Sequence, residues 1–277
     1  MSVLASIPSP SSGTIDIGIN LHVYGVLLAI GVPPAGAQTG PEIMKKQRDL
    51  HRSRDEQETQ ILRLVSKGGS TKERRVVRYT ITSAQDLSKI LIRFLSPRDV
   101  ENTGLLTWEA ADGDDDQWLY LPATKKAKRI ASSGKKNRFM GTDFAYEDLR
   151  PEALRLNRYT LLGTETLDGQ LCWIVEAVPA TDRQAADSGY SKRKLWVRQD
   201  NHYSVKREYY DKKGKLEKVE TARKLVNVRG TIWRADEVEM RDVQEGTRTV
   251  IAVQARGVER GLADTLFTEV ELTRGGS

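Results

Sequence analysis

The sequence is poor in the residues from which many catalytic and metal sites are built. It contains one cysteine and three histidines among 277 residues. A single thiol cannot form an intramolecular disulfide, and it cannot supply a zinc site built from several cysteines. His22, His51 and His202 are scattered, so a metal site or a histidine-based triad would have to be assembled by the fold. The composition therefore favours no metal, no cofactor and no nucleophile-based enzyme.

Two sequence motifs of common enzymes are also missing. There is no Gly-x-Ser-x-Gly nucleophile elbow and no glycine-rich phosphate loop preceding a helix. Hydrolysis by a pair of carboxylates stays open as an alternative, because Glu109, Asp143, Glu147 and Asp148 could converge in the folded chain. The absence of these motifs favours a binding protein over an enzyme.

No apolar run has the roughly 20 residues that a membrane-spanning helix needs. The longest covers residues 23–32 and is followed by Pro33-Pro34 and by the small residues Ala35-Gly36-Ala37. This pattern predicts that residues 1–37 are a Sec-type signal peptide cleaved after Ala37. The basic segment that normally precedes the apolar run is missing, so the signal is atypical, and a tail with one apolar patch is the alternative. We expect an exported, periplasmic protein with no stable membrane insertion.

Positive charge exceeds negative charge, with 44 basic and 38 acidic residues and a pI near 9.3. The densest basic stretch lies at residues 125–138. Nucleic acid is an unsuitable partner for an exported chain, so an anionic lipid headgroup or an acidic protein surface is the better use of these charges. We expect Lys125, Lys128 and Arg129 to contact a headgroup or a protein partner, and a solvated face is the equal alternative.

The pattern along the chain predicts a mainly β, α+β protein. One helix is expected from Pro41, with Thr39 as its N-cap. From Arg74 onward, short alternating runs are separated by turn signals such as Asp112-Gly113 and Lys213-Gly214. Many strands joined by short turns predict an antiparallel meander. No internal repeat or Pro/Gly/Ser-rich linker follows residue 37, so residues 38–277 are predicted to form a single domain.

The acidic stretch at residues 112–116 invites a calcium interpretation. An EF-hand loop that began at Asp112 would need glycine at its sixth position and glutamate at its twelfth. Gln117 and Ala123 stand there instead. We therefore predict a hairpin turn, with a weak surface cation site as the alternative.

Several motifs together resemble one known family. They are Asp112–Pro122, Lys128-Arg129-Ile130, Ser132-Ser133, Phe139–Leu149, Ser188-Gly189-Tyr190, Tyr209–Gly214 and Gly261–Thr268. On these residues the chain is identified as a member of the LolA-like outer membrane lipoprotein-sorting protein family. The resemblance covers about residues 62–272, and its two long motifs make it specific.

The resemblance implies a curved, incompletely closed antiparallel β-barrel with helices covering its open side. It further implies a periplasmic carrier or chaperone, without enzymatic activity, that binds lipids or lipidated proteins for transfer toward the outer membrane. The expected partners are acyl chains and an inner-membrane exporter of the RND/MMPL type, not nucleic acid. Two alternatives remain open: an exporter subunit that carries nothing, and a carboxylate-based envelope hydrolase.

The resemblance also guides the choice of site residues. We expect the cavity to be lined by apolar strand residues, namely Ile90, Ile92, Phe94, Leu106, Trp108, Trp118, Tyr120, Trp173 and Trp196. A lid over the cavity mouth is expected to include Phe139, Met140, Phe144 and Tyr146. For each lining residue taken alone, ordinary core packing is the alternative role.

Overall fold

The computed structural model describes residues 38–274; the predicted signal peptide, residues 1–37, lies outside the described residues. The described part contains thirteen strands and three α-helices, α1 (Gly40–Leu50), α2 (Asp182–Asp187) and α3 (Glu269–Arg274). The strands are β1 (Asp55–Val65), β2 (Thr71–Thr82), β3 (Ser88–Ser96), β4 (Gly104–Trp108), β5 (Asp116–Leu121), β6 (Lys126–Arg129), β7 (Asn157–Leu167), β8 (Gln170–Pro179), β9 (Lys192–Arg198), β10 (Ser204–Tyr210), β11 (Leu216–Arg229), β12 (Ile232–Asp242) and β13 (Thr247–Val258). Among residues 38–274, no helix has the length and apolar character needed to cross a bilayer.

All thirteen strands form one antiparallel sheet in the order β6-β5-β4-β3-β2-β1-β13-β12-β11-β10-β9-β8-β7. Short hairpins connect most neighbours, and the first strand pairs with the last. β6 and β7 are the two unpaired edges, so the sheet is not closed into a barrel. β3 and β10 lie six positions apart in the sheet, yet both line one cavity, which requires the sheet to curl. The predicted curved, open, antiparallel fold is confirmed.

The curled sheet has an inner and an outer face, and alternate residues of each strand point to opposite faces. On β3, Ile90, Ile92 and Phe94 join a buried cluster on the inner face. Leu91 belongs to a second cluster on the outer face, where Phe267 and Leu272 from the C-terminal segment cover it. The sheet therefore has two separate apolar layers at β2–β5.

Helix α1 covers the inner face at the other end of the sheet. Thr39 forms a capping box with Glu42, and Ile43 and Met44 are buried against β7, β8 and β9. Gly40 makes this approach possible, because a Cβ there would lie 2.9 Å from backbone atoms of Tyr159. The helix begins one residue before the predicted start, in agreement with the N-cap assignment.

The segment between β6 and β7, residues 130–156, crosses the inner face; we call it the crossing segment. It contains three short 3-10 helices, Ser132–Gly134, Tyr146–Leu149 and Leu154–Leu156. Phe139 packs against Phe94 of β3, with ring centroids 5.6 Å apart. Phe144 packs with Tyr209 and Met240 on the opposite wall. The crossing segment therefore joins the two walls of the curled sheet.

Candidate functional site

A cavity of about 260 Å³ lies between the curled sheet and the crossing segment. Its apolar lining comes from β1, β2, β3, β12, β13 and the crossing segment. These residues are Leu62, Val76, Ile92, Phe139, Phe144, Leu149, Val238, Ile251 and Val253. The volume is close to the lower end of the roughly 300–1,000 Å³ typical of small-molecule sites.

The lining changes from polar to apolar along the strands. On β1 the inward residues run from Glu58 through Gln60 to Leu62. On β2, Arg78 lies opposite Glu58, and Val76 lies opposite Gln60. The cavity thus has a polar end near the start of β1 and an apolar end beneath Phe139 and Phe144.

A second cavity of about 300 Å³ continues from this polar end to the underside of α1. The two cavities share Arg150, Tyr203, Ser204, Arg207 and Arg234. The charged side chains that line the second cavity are five arginines and two glutamates, namely Arg48, Arg52, Arg150, Arg207, Arg234, Glu109 and Glu152. An apolar chamber and a mainly basic chamber therefore meet inside the sheet.

Buried ion pairs hold the polar part of the inner face in place. Arg234 lies 2.8 Å from Glu56, and Arg256 lies 2.6 Å from Glu58. Glu56 is only 3% exposed and Glu58 only 5% exposed. Burying a carboxylate costs free energy unless it has a cationic partner. The sequence pattern predicts the run of strands from Arg74 onward, whereas β1 already begins at Asp55.

Two further ion pairs lie on the wall formed by β9–β11. Arg193 forms a bidentate contact with Glu152, at 2.8 and 2.9 Å. Burial opposes ionisation of Glu152, but the Arg193 guanidinium outweighs it and lowers the pKa of Glu152 to about 2. The Glu152–Arg193 pair is therefore ionised at neutral pH. Arg207 donates a hydrogen bond to Glu220 at 2.9 Å. Burial by itself lowers the pKa of Arg207, but the Glu220 carboxylate has the larger effect and raises it.

The crossing segment is held to the sheet by its own carboxylates. Glu147 accepts hydrogen bonds from the Ser188 hydroxyl at 2.8 Å and from the Gly189 amide at 2.6 Å. Asp143 accepts a hydrogen bond from Thr249 of β13 at 2.6 Å. Burial raises the pKa of Asp148 to about 6, although Lys218 opposes this shift. These contacts fix a cover over the apolar chamber.

Helix α1 and the residues that directly follow it are tied to the distant β2–β4 edge by two arginines. Arg48 lies 3.4 Å from the buried Glu109 at the end of β4, and Arg52 pairs with Asp86 in the β2–β3 turn. The same helix packs its apolar face on β7–β9. α1 therefore bridges the two arms of the open sheet and roofs the basic chamber.

The structure divides the nine predicted lining residues between two faces. Ile92 lines the cavity, and Ile90 and Phe94 lie in the same inner-face cluster. Trp173 is also on the inner face, beside the cluster under α1. Five residues lie on the outer face, namely Leu106, Trp108, Trp118, Tyr120 and Trp196.

These five positions correct the predicted lining. Leu106, Trp118 and Tyr120 pack under the C-terminal segment, and Trp108 donates its indole N–H to the Phe267 carbonyl. Trp196 is stacked by Lys206, 4.0 Å from its ring centroid. The error has a physical reason. Side chains of a strand alternate between its two faces, and here both faces are covered, so buried residues of the two faces cannot be told apart in the sequence.

The predicted lid residues belong to the crossing segment. Phe139 and Phe144 are buried and line the cavity, while Tyr146 packs edge-on against Phe139. Met140 is partly buried beside the same inner-face cluster. The structure thus places these side chains between the two walls, not at an outer rim.

The predicted basic residues lie at the edge of the sheet. Lys125, Lys128 and Arg129 are exposed, in the turn before β6 and on β6 itself. Arg129 pairs with Asp116 of the neighbouring strand. They do not line the inner cavities.

The four carboxylates of the hydrolase alternative are each engaged by a different set of partners. Glu109 faces Arg48, whereas Asp143 is held by β13 and Arg138. Glu147 contacts the loop after α2, and Asp148 contacts Tyr190. They serve to anchor α1 and the crossing segment.

The acidic turn is surrounded by basic side chains. Asp114 lies 2.5 Å from Lys135 and 2.8 Å from Arg150, and Asp115 lies 2.7 Å from Arg155. These contacts connect the β4–β5 hairpin to the crossing segment. The turn therefore functions as an ion-paired anchor.

Sequence reasoning missed the inner charged residues, above all Arg78, Arg207, Glu220 and Arg234. One signal was available in the sequence. Glu56, Glu58 and Gln60 alternate with the same two-residue period as Leu62 on β1, so these polar side chains point to the same buried face as Leu62. Their partners lie up to about 200 positions away in sequence, and only the curled sheet brings them together.

Comparison with known proteins identifies the relatives of this chain. A family model described only as an uncharacterized protein matches residues 86–274. A solved outer membrane lipoprotein-sorting protein domain from Vibrio parahaemolyticus is 32% identical, covering 85% of this chain and 98% of that chain, with a TM-score of 0.80. A DUF1329 family protein from Desulfovibrio piger is 29% identical, covering 84% and 97%, with a TM-score of 0.78.

A LolA superfamily protein from Nitrosomonas europaea shares the fold, with 19% identity, 85% and 100% coverage and a TM-score of 0.67. No curated protein matches the sequence. The identity and coverage of the first relative show the family. This chain is a member of the LolA-like outer membrane lipoprotein-sorting protein family.

Proposed function

We propose that this protein is a non-enzymatic periplasmic carrier that holds the hydrocarbon part of a lipid or lipidated protein inside its curled sheet. The observation that carries the proposal is the apolar chamber between β1–β3, β12–β13 and the crossing segment. The solved relative described as a lipoprotein-sorting domain supports the same role. Residues 1–37, as a Sec-type signal peptide, would direct the remaining single domain to the periplasm.

Hydrocarbon burial supplies the binding energy in this proposal. Each methylene removed from water contributes about 0.8 kcal/mol, so even a short acyl segment binds usefully without any reaction. The sheet is open at β6 and β7, so the two walls can separate to admit a larger guest. Phe139 and Phe144 would be the first side chains that an entering chain displaces.

The exposed basic edge fits the membrane-proximal steps of such a carrier. Lys125, Lys128 and Arg129 lie together near β6, away from the inner cavities. Anionic headgroups attract such groups by about 1 kcal/mol per lysine or arginine near the surface. We assign these three residues to contact with a headgroup or with an inner-membrane exporter of the RND/MMPL type.

Native mass spectrometry of protein purified from periplasm without detergent tests the proposal. We expect a stoichiometric acyl-bearing ligand, identified by lipid extraction of the same sample. Ala222→Phe should abolish loading, because Ala222 lines the cavity and the larger side chain fills it. Leu171→Asp is the control for a variant that introduces a carboxylate, since Leu171 is 48% exposed on β8, outside the cavity.

A second variant, Ile92→Asp, should also abolish loading because it places a charge in the apolar chamber. Circular dichroism establishes that each variant is folded. A protein that stays empty when lipids are offered would overturn the carrier proposal. It would instead favour a subunit of an exporter that carries nothing.

A further inference from the structure

Among the described charged groups of the inner face, one arginine has no direct partner. The buried acids each have a basic partner: Glu56 has Arg234, Glu58 has Arg256, Glu152 has Arg193, Glu220 has Arg207 and Asp148 has Lys218. Arg78 also lines the cavity, opposite Glu58 on one side and Ile92 on the other. Among residues 38–274, no side-chain hydrogen bond and no ion pair within 4.0 Å engages its guanidinium, although its charge helps to lower the pKa of the Glu56 carboxyl. The guanidinium N–H groups of Arg78 therefore lack a direct hydrogen-bond acceptor at the polar end.

Arg207 offers a second set of donors to the same space. It lines both the apolar and the basic chamber. Within the described chain only its Nη1 donates, to Glu220, and its Nε is buried without a partner. A buried donor without a partner is costly, and a guanidinium presents several N–H groups in a geometry that suits carboxylate and phosphate oxygens. An anionic oxygen at this position would satisfy them.

The second chamber adds hydrogen-bonding groups beside the same position. Its five arginines are each paired with a carboxylate, and Ser204, Tyr203 and Ser53 add hydroxyl groups to the lining. Immediately beyond Arg78 and Arg207 begins the apolar lining of Val76, Val238 and Ile251. The junction of the chambers thus matches a molecule with an anionic end and a hydrocarbon end.

We propose that the ligand is an amphiphile with an anionic headgroup, which binds Arg78 and Arg207 while its hydrocarbon chain occupies the apolar chamber. This inference rests on the proposed carrier function and names the class of its cargo. Headgroup recognition by guanidinium groups selects the lipid, and burial of the chain supplies most of the affinity.

Isothermal titration calorimetry with two single-chain lipids tests the inference. The probes are palmitoyl-lysophosphatidylglycerol, which is anionic, and monopalmitoylglycerol, which is neutral and has the same acyl chain. We expect the anionic lipid to bind at least about ten-fold more tightly, the effect of a charge-assisted hydrogen bond. Arg78→Gln should remove this preference by lowering the affinity for the anionic lipid far more than the affinity for monopalmitoylglycerol.

Arg63→Gln is the matched control, because it removes the same charge from β1 at a side chain that is 54% exposed and paired with Glu73. The preference should survive this change. Arg207→Gln alone leaves Glu220 without its arginine, so the double variant Arg207→Gln/Glu220→Gln tests Arg207 without an uncompensated carboxylate. This double variant should also lose the preference for the anionic lipid.

The outcomes separate the two proposals. Equal affinity of the unaltered protein for both lipids, or a preference that persists in Arg78→Gln, would overturn the inference while the carrier stands. Failure of both lipids to bind would overturn the carrier and the inference together. If inorganic phosphate alone binds as tightly as the anionic lipid, the site takes a free anion and the amphiphile is overturned.

Discussion

The Asp148 carboxylate accepts a hydrogen bond from the Tyr190 hydroxyl at 2.9 Å, and this contact joins the crossing segment to the loop that precedes β9. Lys218 of β11 stands 3.8 Å from the same carboxylate, and its ammonium group donates to Tyr190 at 3.0 Å. All three side chains are buried. The cover of the apolar chamber is thus held by a titratable group inside the protein.

Asp148→Asn should change how stability depends on pH. Burial raises the pKa of Asp148 to about 6, above its value in the unfolded chain. The folded state therefore binds the proton more tightly, and the contribution of this proton to stability is complete below pH about 4 and lost as the pH rises through about 6. Relative to Asp148→Asn, the unaltered protein should lose about 2 to 3 kcal/mol of unfolding free energy between pH 4 and 7.

Urea unfolding at a series of pH values measures this difference. Asp112→Asn, at an exposed position of the acidic turn, is the control for removing a carboxylate. Parallel pH profiles for the unaltered protein and Asp148→Asn would contradict the assignment.

Glu152→Gln should destabilise the protein strongly. The substitution leaves the Arg193 guanidinium buried without its bidentate carboxylate, and breaking a buried pair from one side costs about 3 kcal/mol or more. Glu73→Gln, which breaks the exposed pair with Arg63, should cost less than about 1 kcal/mol. Chemical denaturation measures the free energy of unfolding of both variants. An equal loss in the two variants would show that the buried Glu152–Arg193 pair stabilises the fold no more than the exposed pair does.

Phe139→Ala should loosen the crossing segment. Phe139 is 1% exposed and contacts Phe94 and Tyr146, so truncation removes about 3 kcal/mol or more of packing. Limited proteolysis should then cut within residues 130–156 before the rest of the chain. Val270→Ala, at a side chain that is 66% exposed, should leave the cleavage pattern unchanged. Cleavage spread evenly along the chain would indicate global unfolding instead.

Trp108→Phe should weaken the outer face without affecting loading. The change deletes the indole N–H that donates to the Phe267 carbonyl at 2.9 Å, which costs about 1 kcal/mol. Because Trp108 lies on the face opposite the cavity, the bound lipid seen by native mass spectrometry should remain. Loss of lipid from a folded variant would place Trp108 at the ligand.

The strand pattern made the architecture predictable. Turn signals such as Asp112-Gly113 and Lys213-Gly214 recur between short alternating runs, and they lie between β4 and β5 and between β10 and β11. The N-cap at Thr39 also fixed the start of α1 within one residue. Such local signals depend on neighbours in sequence, so the sequence carries them in full.

The faces of the strands were harder to predict. Ile92 and Trp118 are both buried apolar residues on strands, yet Ile92 faces the cavity and Trp118 faces the C-terminal segment. Alternation shows which residues share a face of one strand, but it does not show which face turns inward when both faces are covered. That choice depends on where the crossing segment and residues 264–274 pack.

The sequence by itself determined the antiparallel meander, the first helix and the family, because each rests on local patterns or contiguous motifs. Tertiary structure alone decided the character of the cavity. Arg234 contacts Glu56, 178 positions away in sequence, and Arg207 contacts Glu220 on the neighbouring strand. The cavity predicted to be apolar therefore has charged side chains along part of its lining. Charges that read as surface residues in sequence are stabilised inside the protein because the curl of the sheet supplies their partners.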